Sequence, residues 1–388
     1  MHDPILTALF LVFVGAALGA TGALFARQSM LVGYILLGIL FGPSVLGWVS
    51  SPDLIKEAAG IGLIFLLFLL GLNLHPQKLV QLFREVTLTT LLSSLIFAAF
   101  GFGVAAAFGF GTGESAVIGA ATMFSSTIIG LKLLPATALH HQHIGGVVIG
   151  VLLLQDLLAI ATLIGLQGLG TGEAGMGDLA ALVLGPPAVI ACAFLAERFL
   201  LRHVWHRFGQ VQEYVFLTAV AWCLAVAELG SVVGLSHEIG AFIGGVAVAN
   251  SPISRFIAES LRPLRDFFLV LYFFALGAGL ELGMVEDVAL PAAVLAGGTL
   301  LLKPWVFRLL LSRVREKGEL ATEVGVRLGQ MSEFALFIAM VATTSGVIGA
   351  RAASLIQVAT VATFMVSSFV IGRSYPSPIA GTAALRRD

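Results

Sequence analysis

The run from Val86 to Gly109 holds 24 residues and not one charged side chain. As a helix it measures about 36 Å at 1.5 Å per residue, enough to cross a hydrocarbon core of about 30 Å. Similar runs follow one another near 5–25, 31–49, 58–74, 86–109, 115–137, 144–169, 178–200, 212–230, 234–250, 264–282, 288–311, 321–346 and 352–373. The pattern predicts an all-α polytopic membrane protein with thirteen transmembrane helices. Composition agrees, because 58% of the residues are apolar and only 11% are charged, whereas a water-soluble domain carries about 25% charge. A net charge of −1 provides no basic field for nucleic acid. Cys192 and Cys223 lie in apolar runs without metal-ligand spacing, which excludes a disulfide scaffold or a zinc module. The first run is preceded by Asp3 rather than a basic stretch and reads as a span, not a cleaved signal.

Loop charge sets the expected orientation. Fifteen of the 21 Lys and Arg follow odd-numbered runs, among them Lys78, Arg202, Arg262, Arg313 and Arg373. Lys56 and Arg351 alone lie on the other side, and Lys132, Lys303, Arg308 and Arg327 lie within runs. This bias places the N-terminus outside and the C-terminus in the cytoplasm, at the end of an odd number of spans.

The chain also resembles itself at an offset of 206 to 207 residues. Gly33-Tyr-Ile-Leu-Leu-Gly38 matches Gly240-Ala-Phe-Ile-Gly-Gly245, and Ser44 matches Ser251. Phe68, Leu70, Gly71 and Leu74 match Phe274, Leu276, Gly277 and Leu280; Gly119 and Ser126 match Gly325 and Ser332. Matched runs lie seven spans apart. Seven is odd, so the paired helices are expected to run in opposite directions, as in the inverted repeats of secondary transporters. The expected layout is a membrane domain over 1–373, with halves near 31–200 and 234–373, and a short tail over 374–388.

Polar groups at membrane depth are the candidate functional residues, since a charge at the bilayer centre costs about 2.5–3.5 kcal/mol on insertion scales. Asp156, preceded by Gln155, sits about twelve residues into the sixth run. A carboxyl there needs neutralising, by a proton, a metal ion or a neighbouring cation. Lys303 sits deep in the eleventh run and is followed by Pro304, which interrupts the helical hydrogen-bond ladder. Its partner is expected to be a carboxylate or a helix end, with snorkelling as the alternative. The fifth and twelfth runs carry polar interruptions, Ser125-Ser126-Thr127 and Gly329-Gln330-Met331-Ser332-Glu333. Breaks at corresponding positions of two halves point to a transport site. Glu228, His237 and Glu238 read equally as a wet funnel or as ordinary helix ends, Asn73 and His75 as a helix terminus, and His140, His141 and His143 as a solvated loop. No zinc-protease, G-x-S-x-G or phosphate-loop motif is present, so the chain is not expected to be an enzyme.

Met30-Leu-Val-Gly-Tyr-Ile-Leu-Leu-Gly-Ile-Leu-Phe-Gly-Pro-Ser-Val-Leu-Gly47 resembles the second-helix signature of Kef-type potassium/proton antiporters, in the monovalent cation:proton antiporter-2 family. Gly62-Leu-Ile-Phe-Leu-Leu-Phe-Leu-Leu-Gly-Leu72, the Ser125-Ser126-Thr127 patch, Gln155-Asp156, Gly240-Ala-Phe-Ile-Gly-Gly-Val246 and Ser332-Glu333-Phe-Ala-Leu-Phe337 follow in family order. The resemblance implies a dimerisation domain beside a core domain with two crossed, broken helices, and a homodimer. It places the ion-binding carboxylate at Asp156 with Gln155, Ser125, Ser126 and Thr127 around it. Lys303, Ser332 and Glu333 become the supporting charge and second broken helix. A Gln-Asp pair resembles potassium-efflux members, whereas electrogenic sodium exchangers typically place two acidic residues there. The implied activity is electroneutral exchange of a monovalent cation, K⁺ before Na⁺, for H⁺ by competition at Asp156, without a cofactor. A Na⁺/H⁺ exchanger and a gated cation channel are the alternatives. Many Kef-type proteins continue into a cytoplasmic nucleotide-binding domain; the expectation here is either that a regulatory domain or subunit of that kind lies outside these 388 residues or that this member lacks one, and no nucleotide regulation is read from them.

Overall fold

The computed structural model describes residues 4–26, 28–49, 52–72, 76–133, 143–170, 176–233, 235, 237–280, 282–313 and 318–377. Their regular elements are helices: α1 (Pro4–Phe25), α2 (Met30–Phe41), α3 (Pro52–Leu72), α4 (Pro76–Ala107), α5 (Thr112–Thr122), α6 (Thr127–Lys132), α7 (His143–Gly170) and α8 (Met176–Ala196). A π turn, Glu197–Leu201, carries α8 into α9 (Arg202–Phe208). Then follow α10 (Gln212–Val232), α11 (His237–Val248), α12 (Ser254–Ala278), α13 (Leu282–Arg313), α14 (Gly318–Arg327), α15 (Glu333–Thr344) and α16 (Ala350–Ser374). Six helices among the described residues are long and apolar enough to cross a membrane.

Local chemistry explains many of the boundaries. Pro4, Pro52 and Pro76 each open a helix, at the position where proline's fixed φ suits the first turn and its missing N–H costs nothing. Gly109, at φ +80°, ends α4 while the Phe110 amide returns to the Ala105 carbonyl. The second apolar run extends to residue 49, yet α2 stops at Phe41. Gly42 precedes Pro43 there, and a residue before proline is pushed out of the helical region. At 12 residues, α2 reaches only about 18 Å. Helices elsewhere run beyond the apolar windows: α4 begins ten residues before Val86, and the α8–α9 rod continues to Phe208, where buried Trp205 donates from Nε1 to Thr218 Oγ1 at 2.8 Å.

The chain divides into two compact units. One comprises Met1–Val49, Gln81–Thr171 and Gly277–Asp388; the other comprises Ser50–Val80 and Gly172–Leu276. Glycine brings backbones together in both, as expected where lipid gives no hydrophobic drive for helix association. In the second unit Gly71 faces the Phe242 carbonyl and the Val246 amide, and Gly245 faces the Phe68 carbonyl. In the first unit Gly277 faces the Ile35 carbonyl and the Ile39 amide. A Cβ at Gly119 would stand 2.6 Å from the Ala98 carbonyl oxygen, and one at Gly325 2.8 Å from that of Pro304. The first unit's core joins Val86 and Phe97 of α4, Val148, Val151 and Leu152 of α7, Val306 and Phe307 of α13, and Val324 of α14.

Because backbone atoms block the space at Gly245, Gly245→Ala is expected to cost about 1–3 kcal/mol through overpacking. Gly297→Ala, with nothing within 4 Å, is expected to be neutral or stabilising by up to about 1 kcal/mol. Thermal unfolding of the two variants in detergent checks the contrast; equal losses would remove steric closeness as the reason for glycine at Gly245.

Candidate functional site

The first unit contains two interrupted helices. α5 ends at Thr122, whose Oγ1 donates to the Phe97 and Gly119 carbonyls at 2.8 and 2.6 Å. Residues 124–126 are non-helical, and α6 restarts at Thr127. The second interruption covers residues 328–332, between α14 and α15. Both restarts are capped by serine: Ser126 Oγ accepts from the Ile129 amide, three residues on, at 3.1 Å, and Ser332 Oγ accepts from the Phe334 amide, two residues on, at 3.2 Å. A serine cap satisfies one of the amides that a helix start leaves without an internal partner.

Lys303 ties the interruptions together. It is fully buried, and its Nζ donates to the Phe124 carbonyl at 2.6 Å, the Gln330 carbonyl at 2.9 Å and Ser125 Oγ at 3.3 Å. Nζ also lies 5.2 Å from the centre of the Phe97 ring. Of the two partners expected for this lysine, the helix end is the one found: both carbonyls follow the C-terminal end of a half-helix, where the dipole is negative. Among the described residues no carboxylate is ion-paired with Lys303. Ser125 adds a direct bond between the interruptions, from its Oγ to the Leu328 carbonyl at 2.8 Å.

Asp156 lies one residue beyond Gln155 on α7 and is 1% exposed. Thr127 Oγ1 donates towards its carboxylate, 3.3 Å from Oδ1 and 3.2 Å from Oδ2. The Glu333 carboxyl, in the first turn of α15, is likewise buried. Gln155 faces the unwound segment instead: its Oε1 accepts from the Ser125 amide at 3.0 Å and its Nε2 donates to the Met123 carbonyl at 3.2 Å. The structure therefore brings Asp156 and Thr127 into contact, and employs Gln155, Ser125 and Ser126 in holding the interruption open beside them. This geometry leaves a buried carboxylate next to a hydroxyl at a helix start, an arrangement suited to binding one small cation or one proton.

Three features of this region go beyond the sequence reading: the partners of Gln330, the hydroxyls of α16 and the partners of Arg327. Gln330, fully buried, accepts at Oε1 from Ser367 Oγ at 2.9 Å and donates from Nε2 to the Ser126 carbonyl at 3.4 Å. On α16, Thr363 Oγ1 accepts from the Met331 amide at 3.1 Å. Thr360, Thr363 and Ser367 are buried along one helical stripe, a spacing that was visible. Arg327, 1% exposed, donates to the carbonyls of Leu133 and Pro376, both at 2.9 Å, and pairs with Glu323 at 2.7 Å. Its i,i+4 acid was the available signal.

His237 Nε2 lies 3.2 Å from Glu228 Oε2 in an exposed pair. Asn73, His75, His140 and His141 lie outside the described residues, as do the side chains of His143 and Glu238.

Residues 8–374 match the family model described as the sodium/hydrogen exchanger, transmembrane. Among curated relatives, the iron transporter MagA of Paramagnetospirillum magneticum is 26% identical over 95% of this chain and 85% of its own length. The K(+) efflux antiporter 4 of Arabidopsis thaliana is 30% identical over 85% of this chain and 57% of its own length. The K(+) efflux antiporter 6 of the same plant is 29% identical over 56% of its length. The chain thus spans little more than half of these potassium-efflux relatives. The solved structure of the sodium proton antiporter MjNhaP1 from Methanocaldococcus jannaschii at pH 8 superposes with a TM-score of 0.71 at 18% identity, covering 99% of this chain and 98% of that one.

Proposed function

The chain belongs to the sodium/hydrogen exchanger family of multi-pass membrane transporters, and from that premise we propose that it is a secondary antiporter exchanging a monovalent cation, K⁺ before Na⁺, for H⁺. The observation that carries this reading is the buried Asp156 carboxylate facing Thr127 where a helix is interrupted. Either a proton or a cation neutralises that carboxylate, and occupancy by one excludes the other. An ionised, empty site resists passage through the low-dielectric interior, so the unit carries one passenger in each direction and exchange is obligatory. We take Lys303, bonded to two carbonyls and a hydroxyl, to keep one charge state throughout the cycle. One proton for one cation is then electroneutral, and the membrane potential, about 2.3 kcal/mol per charge per 100 mV, does not drive the cycle.

Several features support the finer points. The pair Gln155-Asp156 provides one acid at this position rather than two, and the two plant relatives are named as K⁺ efflux antiporters; both favour K⁺. The reading of thirteen spans in inverted halves is supported by a helix within each apolar run and by the glycine contacts. Gly71 on Phe242 and Val246 repeats as Gly277 on Ile35 and Ile39, with every residue displaced by 206 or 207. Gly119 on Ala98 repeats likewise as Gly325 on Pro304. We place the N-terminus outside on the Lys and Arg bias, and take the functional form to be a homodimer.

Purified protein in vesicles containing a pH-sensitive dye tests the activity. Adding K⁺ or Na⁺ against an imposed pH gradient is expected to move protons, more strongly for K⁺, at a rate unaffected by a valinomycin-clamped potential. A larger Na⁺ response would make the protein a Na⁺/H⁺ exchanger. Cation current that persists without a pH gradient and reverses at the K⁺ Nernst potential would make it a channel.

A further inference from the structure

Two glutamines meet the first interruption, and they reach it from different directions. Gln155 is the immediate neighbour of Asp156 and spans the unwound backbone from Met123 to Ser125. Gln330 belongs to the second interruption, 204 residues from its partner Ser126. Three of its polar groups have partners. The backbone carbonyl accepts from Lys303, Oε1 accepts from Ser367 on α16, and Nε2 donates to the Ser126 carbonyl.

That last contact falls on the first turn of α6. The Ser126 carbonyl also accepts the helical bond from the Gly130 amide at 3.0 Å. Ser126 Oγ caps the same turn, and the next residue, Thr127, faces Asp156. A continuous line of hydrogen bonds therefore runs from Ser367 on α16, through the Gln330 side chain, to the turn that carries Thr127, whose hydroxyl touches the carboxylate. Ser367, Gln330 and Ser126 are each 2% exposed or less, so water does not replace a lost partner here.

We propose that Gln330, held by Ser367, is a positioning residue that fixes the first turn of α6 and thereby sets the distance from Thr127 Oγ1 to the Asp156 carboxylate, and with it the affinity and size preference of the cation site. The proposal rests on the antiporter reading for what the site carries. A cation gains from a hydroxyl ligand only at a defined separation, and a larger ion requires a wider one. A proton on Asp156 needs no such separation. Loss of the Gln330 bonds therefore acts on cation binding and on the K⁺ to Na⁺ ratio, and leaves the proton side of the exchange almost untouched. The hydrogen bonds of Gln330 go to Lys303, Ser126 and Ser367, not to Asp156.

The test uses full-length wild type, Gln330→Met, Ser367→Ala and the double variant. Methionine keeps the glutamine's length and loses its hydrogen bonds. Two readouts are taken: the KM for K⁺ and for Na⁺ in vesicle exchange, and the K⁺ concentration giving half-maximal thermal stabilisation in detergent. Gln330→Met is expected to raise the K⁺ KM about tenfold, the effect of one buried hydrogen bond, with a smaller fall in turnover and a changed K⁺ to Na⁺ ratio. Ser367→Ala is expected to raise it about threefold. The double variant is expected to be no worse than Gln330→Met, because both changes cut the same line. A wild-type KM and ratio in Gln330→Met would overturn the proposal, as would additive effects in the double variant. If Gln330→Met does not fold, an unchanged KM in Ser367→Ala overturns it instead. If the wild type exchanges no cation at all, the antiporter reading fails, and the stabilisation midpoints still decide whether Gln330 sets cation affinity.

Discussion

Lys303→Met is expected to destabilise the protein by about 2–5 kcal/mol and to leave much of it unfolded at growth temperature. The ammonium group donates to carbonyls from both interruptions and to Ser125. Methionine fills a similar volume but donates nothing, so two buried carbonyls lose their partner at about 1–3 kcal/mol each. The helix ends also lose the cation that complements their dipoles. Lys303→Arg keeps the charge on a wide planar fork and is expected to recover part of the loss. Thermal unfolding in detergent, followed by the yield of monodisperse protein, measures both variants. Wild-type stability in Lys303→Met would mean that packing alone, through contacts such as Phe97 with Phe307, holds the interruptions together.

Asp156→Asn is expected to reduce cation-dependent proton movement to background, a loss of at least about a hundredfold, in a protein that still folds. Asparagine matches the carboxylate in shape and accepts from Thr127 through Oδ1, but it neither ionises nor exchanges a proton near neutral pH. Removing a buried charge leaves no new unpaired ion, so stability is expected to hold or rise. Thr127→Val is expected to be milder. It deletes one hydroxyl at 3.2 to 3.3 Å and is expected to raise the cation KM by about tenfold while exchange continues. Normal exchange in Asp156→Asn would remove this carboxylate from the transport site.

How much of this arrangement could be read from the residues depends on the range of the interactions. The apolar runs located helices well, because burial in lipid is a property of each segment by itself. Helix ends were less legible: Lys78 and Arg84 lie inside α4, which extends past the apolar window, and α2 stops early at Gly42-Pro43. Asp156 and Lys303 were conspicuous because a charge in an apolar run has few explanations. Ser126 and Ser332 stood out through their matched positions, and each proves to cap a half-helix.

The partners of Gln330 and Arg327 were invisible for a different reason. Each bonds to backbone carbonyls far away in the chain, at Ser126 for one and at Leu133 and Pro376 for the other, and a carbonyl has no signature in a sequence. The α16 hydroxyls were hidden by ambiguity. Thr360 bonds back to the Ile356 carbonyl in its own helix, as buried threonines often do, while Ser367 and Thr363 on the same stripe support the second interruption. Gln155 was legible as a polar group beside Asp156, but its engagement with Met123 and Ser125 depends on how α7 lies against the unwound segment.

The central claim is that one carboxylate serves the proton and the cation in turn. Proton release on cation binding tests this most directly, with purified protein in weakly buffered detergent and a pH electrode or indicator dye. Adding K⁺ to protonated wild type is expected to release close to one proton per protomer, and Asp156→Asn is expected to release none. Cation binding without proton release, or equal release from both proteins, would contradict the claim.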